Sequence, residues 1–171
     1  DPKFDLPKEE RFAASIHGKQ LAHSQHLRKG IAETLALVGE SGCGKTTLAL
    51  TLMGLEQPTE GRIFFESNDI THTSHAEHKL LCQRIQMVFQ DPYESLNPTQ
   101  TIREIVAEPL QVHGLTTDRA EREARVIRAL EDSGLKPADV YLHRYPHELS
   151  GGQRQRVVIA GALVLEPHLL L

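Results

Sequence analysis

The fold of this chain is decided by the stretch Gly39-Glu40-Ser41-Gly42-Cys43-Gly44-Lys45-Thr46-Thr47. It fits the pattern G-x-x-x-x-G-K-[ST], with an apolar run at 35–38 before it and helix-forming residues 45–55 after it. Glycines let the backbone approach phosphate closely, so that successive N–H groups and a helix N-terminus converge on the phosphate oxygens. The stretch therefore predicts a phosphate-binding loop (P-loop) between a buried parallel strand and a helix.

The residue types of the loop predict separate roles toward a nucleotide such as ATP. Lys45 is expected to reach the β- and γ-phosphates, the Thr46 hydroxyl to bind Mg²⁺, and Thr47 to lie near the α-phosphate. Cys43 is either a reactive thiol at a helix N-terminus or a small residue tolerated between glycines, and the second interpretation is favoured. The nucleotide-binding residues predicted here are Gly39, Glu40, Ser41, Gly42, Cys43, Gly44, Lys45, Thr46 and Thr47.

Outward from the loop, short apolar runs alternate with longer amphipathic segments. Leu48, Leu52 and Leu55 are spaced for one face of the helix after the loop. The further strands predicted are 61–65, 85–89 and the start of one at 169–171, and the further helices are 74–83, 100–113, 117–133 and 151–165. This order predicts an α/β fold with a layered core and a mainly parallel sheet.

Composition sets limits on the class of protein. The chain has 171 residues, which suits one domain or one domain cut short, and a net charge of −4, which gives no basic footprint for nucleic acid. No apolar run approaches the roughly 18 residues of a membrane span. Cys43 and Cys82 show neither metal-ligand spacing nor a disulfide framework, which fits a reducing cytoplasm.

A second anion site is predicted at Leu149-Ser150-Gly151-Gly152-Gln153, where a serine and two glycines precede a helix. This pentapeptide, about a hundred residues after a P-loop, resembles the signature of the ATP-binding cassette (ABC) ATPases. Gln90, at the end of strand 85–89, matches the family's Q-loop. The segments 90–98 and 145–156 look like the ATPase subunits of oligopeptide and dipeptide importers.

The resemblance implies a P-loop NTPase core with an inserted all-helical subdomain, here incomplete. The implied divisions are a poorly patterned segment 1–34, a P-loop core with Q-loop 35–91, a helical subdomain 92–150, and the signature helix with the start of the Walker B strand 151–171. Tyr93, Leu96 and Pro98 are candidates for docking a permease, or ordinary turn residues.

The resemblance also implies a mechanism. Two such domains pair head to tail, and the P-loop of one and the signature of the other enclose one ATP. Gln90 would sense Mg²⁺ and the attacking water, so that Lys45 and Gln90 are the catalytic candidates and Thr46 and Gln90 the metal candidates. The signature residues expected to bind nucleotide are Ser150, Gly151, Gly152 and Gln153.

The expected function is therefore an ATP-binding subunit that couples ATP binding and hydrolysis to uptake of peptides or similar small solutes. Its partners would be a second ATPase subunit and a transmembrane permease at the cytoplasmic face of the inner membrane, without nucleic acid. The alternatives are a soluble ABC ATPase of the translation or DNA-repair type and a fragment without function.

Two departures from the family pattern lead to further expectations. The acids that follow the Walker B strand are not among the 171 residues, so we expect this chain to bind nucleotide weakly or not at all and not to hydrolyse it. Phe12 stands near the position of the family's adenine-stacking aromatic, although an ordinary apolar contact is favoured.

The histidines have two interpretations as well. The spacing of His72, His75 and His78 would suit a metal, as would the pair His23 and His26, but a solvated face is favoured.

Overall fold

The computed structural model describes residues 15–16, 19–20, 34–89 and 95–171. The chain divides into two compact units, the first ending at His78 and the second running from Lys79 to Leu171. Within the described residues no helix is both long enough and apolar enough to cross a bilayer.

Among its described residues, the first unit contains the helix that follows the P-loop, the start of a second helix and two short hairpins. Strands β1 (Ser15–Ile16) and β2 (Lys19–Gln20) pair antiparallel, as do β3 (Phe64–Phe65) and β4 (Asn68–Asp69). Helix α1 (Lys45–Leu52) follows the P-loop. The β3–β4 turn is made by Glu66 and Ser67, both at positive φ, as a two-residue hairpin loop requires. Among the described residues of this unit, the buried apolar side chains are Leu48, Leu52, Ile63 and Phe65.

Two sequence predictions for this unit were wrong. Residues 35–38 form no strand, because in the described part of the chain no neighbouring strand forms hydrogen bonds with them. Val38 is accordingly 88% exposed. Leu55 is exposed beyond the end of α1, where Leu55 N–H donates to the Leu50 carbonyl and Gly54 N–H to the Thr51 carbonyl. This pair of bonds is a Schellman ending, which closes the helix before Leu55.

The second unit combines helices with a short parallel ladder. The helices with described bounds are α2 (His75–Arg84, which begins in the first unit), α3 (Ile102–Val112), α4 (Arg119–Asp132), α5 (Asp139–Leu142) and α6 (Gly151–Leu163), with a 3-10 helix at Pro146–Glu148. Strands β5 (Ile85–Gln86) and β6 (Leu169–Leu170) pair in parallel. The Val88 N–H donates to the Leu171 carbonyl at 2.9 Å, which extends the ladder. The predicted strands 85–89 and 169–171 are therefore parallel neighbours.

The core of the second unit lies where α3, α4 and α6 pack against one another. Its fully buried side chains include Ile102, Val106, Leu110, Val126, Leu130 and Val157. On α4 Ala124 is exposed, whereas Val126, Ala129 and Leu130 are buried. Helix α6 thus shares one core with the helices before residue 150, and the domain boundaries drawn from the sequence stay predictions.

Candidate functional site: a phosphate loop and a glycine-rich helix start

The P-loop enters α1 through glycines in the left-handed region. Gly42 has a φ of 80° and Gly44, the N-cap of α1, a φ of 98°, a conformation that costs other residues energy. Gly44 has no side chain and supplies no capping hydrogen bond to the first turn. The first-turn N–H groups of α1, with the positive end of the helix dipole, are therefore suited to an anion.

The Lys45 side chain folds back across the loop. Its ammonium donates to the carbonyl of Gly39 at 2.8 Å, to that of Glu40 at 2.7 Å, and to the Cys43 sulfur at 3.4 Å. These bonds hold the positive charge at the loop, next to the start of α1. Thr46 and Thr47 are exposed at the same end of the helix, so the Thr46 hydroxyl is accessible as an oxygen ligand.

The second predicted anion site begins α6 with a reciprocal capping box. The Ser150 hydroxyl accepts from Gln153 N–H at 3.3 Å, and the Gln153 amide oxygen accepts from Ser150 N–H at 2.9 Å. Gly151 and Gly152 are exposed on the first turn. The Gln153 side chain, predicted from sequence to bind nucleotide, therefore has an intramolecular role that orders the start of the helix.

A shallow cavity of about 400 Å³, open to the surface, lies beside this helix start. Arg156, Tyr141 and Gly134 line it, and none of them was among the site residues predicted from the sequence. The sequence offered one indication that Arg156 lies beside the helix start: it follows Gly152 by four residues, and this spacing places both on one face of a helix. The lining residues are Gly134, Leu135, Tyr141, Ser150, Gly152, Gln153 and Arg156.

The predicted site residues are divided between the two units. The P-loop lies in the first unit and residues 150–153 in the second. Gln90 falls outside the described residues, so its catalytic and metal roles stay predictions. The same holds for Tyr93, Phe12, His23 and His26.

One docking candidate needs correction. Leu96 is only 7% exposed and belongs to the core of the second unit, so it does not offer an exposed surface to a partner. The sequence could not distinguish a docking residue from a core residue at this position, because a leucine in a turn can pack inward or outward. Pro98 is exposed.

The histidine prediction also needs correction at one position. His72 and His75 are exposed, but the His78 ring is half-buried and its Nε2 lies 2.7 Å from the Met53 carbonyl at the end of α1. The absent side chain of Gly54 leaves room for the ring, since a Cβ there would lie 2.9 Å from it. Among the residues that the structure describes, no group of three or more potential ligands is placed to hold a metal.

The two thiols differ in environment. Cys43 is exposed within the P-loop, and Cys82 is partly buried on α2; neither forms a disulfide. Burial raises the pKa of the Cys82 thiol and so disfavours its thiolate.

Comparison with known proteins agrees with these motifs. Residues 23–171 match the family model described as ABC transporter. The chain is 50% identical over 146 residues to the oligopeptide transport ATP-binding protein AppF of Bacillus subtilis (strain 168), covering 85% of this chain and 43% of that protein. It is 48% identical over 139 residues to the glutathione import ATP-binding protein GsiA of Escherichia coli O1:K1 / APEC, covering 81% of this chain and 22% of that protein. The chain thus spans less than half the length of these relatives.

A solved structure shares the fold. The dimeric post-hydrolysis state of the ATP-binding cassette MJ0796, bound to ADP and Pi, aligns with a TM-score of 0.67 at 32% identity, covering 77% of this chain and 56% of that chain. The expected fold class, an incomplete α/β P-loop core with helices, is therefore confirmed. The resemblance first seen in the P-loop and in residues 149–153 is confirmed as well, and the chain belongs to the ABC transporter family.

Proposed function

We propose that this chain is the nucleotide-binding part of an importer's ATP-binding subunit, which couples ATP binding and hydrolysis to uptake of peptides or similar small solutes. The names of its relatives, which refer to oligopeptide transport and glutathione import, support this class of solute. The subunit would sit peripherally at the cytoplasmic face of the inner membrane, with a transmembrane permease as its partner.

The single observation that carries the proposal is the P-loop conformation. Left-handed Gly42 and Gly44 lead into an uncapped helix start, and the Lys45 ammonium lies across the loop within 2.8 Å of two carbonyl oxygens. An ammonium in this place can turn to the β- and γ-phosphates of ATP while the first-turn N–H groups of α1 hold their oxygens. The negative charge of the phosphates would therefore be stabilised by both the helix dipole and the lysine.

Mg²⁺ fits the same end of α1. The exposed Thr46 hydroxyl offers the hard oxygen that Mg²⁺ prefers, and the remaining ligands would come from phosphate, water and Gln90. When bound, the ion neutralises charge that develops on the transferred phosphoryl group. Thr46 would position it and Lys45 would orient the phosphates.

Residues 150–153 would act on the ATP held by a second ATPase subunit. Ser150 and the exposed glycines begin α6 with its positive dipole end, and the capping box holds the first turn in helical geometry. A head-to-tail dimer would place this helix start against the γ-phosphate bound by the opposite P-loop.

The sequence predicts weak nucleotide binding or none by these 171 residues, so the test compares dissociation constants measured on the purified chain at high ATP concentration. We expect Lys45→Ala to weaken ATP binding by about tenfold or more, because a charge-assisted bond to phosphate is worth roughly 1.5–3 kcal/mol. Titration calorimetry on wild type and variant measures this ratio, with Lys79→Ala, an exposed lysine on α2, as the matched control.

Equal ATP affinity of wild type and Lys45→Ala, with circular dichroism showing both folded, would refute the role of Lys45. The expectation that the 171 residues do not hydrolyse ATP stays a separate prediction. Turnover measured on the purified chain, with contaminating ATPases excluded, decides it.

A further inference from the structure

We infer that Arg156 is a positioning residue for the helix start at Ser150–Gly152, and that it acts by binding the C-terminal carbonyls of α4. The inference rests on the proposed role of that helix start in binding the phosphate held by a second subunit. It concerns a side chain that lies outside the pentapeptide 149–153 and that contacts the protein rather than the nucleotide.

Helix α4 ends in a Schellman turn that leaves two carbonyls for another partner. Leu135 N–H donates to the Leu130 carbonyl and Gly134 N–H to the Glu131 carbonyl, both at 2.9 Å. The carbonyls that follow, of Ser133 and Gly134, receive the Arg156 guanidinium, with Nη1 at 3.4 Å and 3.0 Å. Arg156 therefore joins the second turn of α6 to the end of α4.

The close approach of Arg156 depends on glycine at position 134. Gly134 has a φ of 86°, and a Cβ on it would lie 2.0 Å from Arg156 Nη1. A larger residue would both strain the backbone and displace the guanidinium. The turn after α4 and the arginine on α6 therefore depend on each other, and their hydrogen bonds hold α6 in position along α4.

The charge at the C-terminus of α4 affects how favourable the cavity is for an anion. Gly134 and Leu135, at the C-terminus of α4, border the same cavity of about 400 Å³ as Ser150 and Gly152. A helix C-terminus carries about half a negative charge, which disfavours an anion nearby. The Arg156 cation binds these carbonyls and offsets their charge, so the cavity keeps the positive field of the α6 N-terminus.

Arg156 also lies on the face of α6 that borders the cavity. It follows Gly152 by four residues, so the two positions are neighbours on the helix surface. A Cβ on Gly152 would meet nothing within 4 Å, which leaves the cavity open between Ser150 and the arginine. The geometry therefore places a hydrogen-bonded cation one turn after the helix start that is proposed to bind the anion.

The test separates binding to the P-loop of the same chain from association with a second chain. ATP-dependent association of the full chain is measured by sedimentation, and ATP affinity by calorimetry, for wild type and for Arg156→Ala, Arg156→Gln and Arg156→Lys. Gln155→Ala, exposed on the same turn of α6, is the matched control. Thermal unfolding of each variant reports whether it is folded.

We expect the Ala and Gln variants to associate about fivefold more weakly than wild type, and Lys to restore most of the loss because it keeps the charge. ATP affinity of the isolated chain should stay unchanged in all of them. If Arg156 mattered only for folding, Arg156→Gln and Arg156→Lys would not differ in ATP-dependent association. The loss should also shrink in high salt, which screens the charge.

Arg156→Ala associating as tightly as wild type, or Lys failing to restore association, would overturn the inference while leaving the proposed function intact. If wild type shows no association that depends on both ATP and Lys45, the proposed function fails and the inference fails with it.

Discussion

At the scale of single residues, glycines beside the same cavity are present for different physical reasons. Gly134 adopts a φ of 86° and has Arg156 where its Cβ would be. Gly152 lies in the first turn of α6 with open space around its missing Cβ. The positive φ requires the first glycine, and its missing side chain lets the Arg156 guanidinium approach, whereas the second glycine lies in a helical turn and leaves the cavity open.

This difference predicts opposite effects on stability. Gly134→Ala should destabilise the chain by about 1–2 kcal/mol, because an alanine at this φ is strained. Gly152→Ala should stabilise it by about 0.5–1 kcal/mol, because alanine is the better helix former. Denaturant unfolding of both variants measures the two free energies.

The stabilised Gly152→Ala variant should nevertheless lose ATP-dependent association, because its methyl group enters the cavity. A Gly152→Ala protein that is less stable than wild type would contradict the assignment of this glycine to an open helical position.

At the scale of elements, α3 and α6 begin in the same way. Thr101 and Glu104 form a capping box at α3, as Ser150 and Gln153 do at α6. Hydrogen bonds from Thr101 to the Glu104 carboxylate lower the pKa of that carboxyl. Two equivalent caps, of which only one borders the glycine-rich cavity, allow stability and function to be separated.

We predict that Ser150→Ala and Thr101→Ala each destabilise the chain by about 1 kcal/mol, the usual cost of losing an N-cap. Only Ser150→Ala should also weaken ATP-dependent association. Chemical denaturation compares the stabilities, and sedimentation with ATP compares association. If Thr101→Ala weakened association as much as Ser150→Ala, the effect would come from general loss of stability.

At the scale of the whole molecule, the second unit owes its core to helices distant in the sequence. Leu130 on α4 is fully buried between helices, whereas Val112 at the end of α3 is 56% exposed. Helix α6 contributes Val157 and Ala160 to the same core, so the glycine-rich helix start is held by packing as well as by its cap.

Leu130→Ala should therefore cost about 2–5 kcal/mol in the free energy of unfolding, and Val112→Ala much less. Hydrogen exchange should show the loss of protection spreading through α3, α4 and α6 together, because they share one core. Loss confined to α4 would mean that these helices do not unfold as one unit.

The sequence by itself determined the local chemistry. Residues 39–47 and 149–153 specify backbone turns and helix starts through glycine, serine and hydrogen-bonding side chains, and these requirements act within a few residues. The family and the α/β class could therefore be predicted from them, and so could the helices whose apolar spacing is regular. The apolar runs at 85–89 and 169–171 were predicted as strands, but the sequence did not predict that these two strands pair with each other.

The tertiary structure alone decided what distant segments do to one another. It buried Leu96, brought His78 to the end of α1, left 35–38 exposed, and joined Arg156 to the carbonyls after α4. None of these contacts can be recognised from the neighbouring sequence. The surroundings of a leucine, a histidine or an arginine depend on which other elements pack against it. Burial and the pairing of charges with helix ends are properties of the packed chain, so they follow only once the helices are in place.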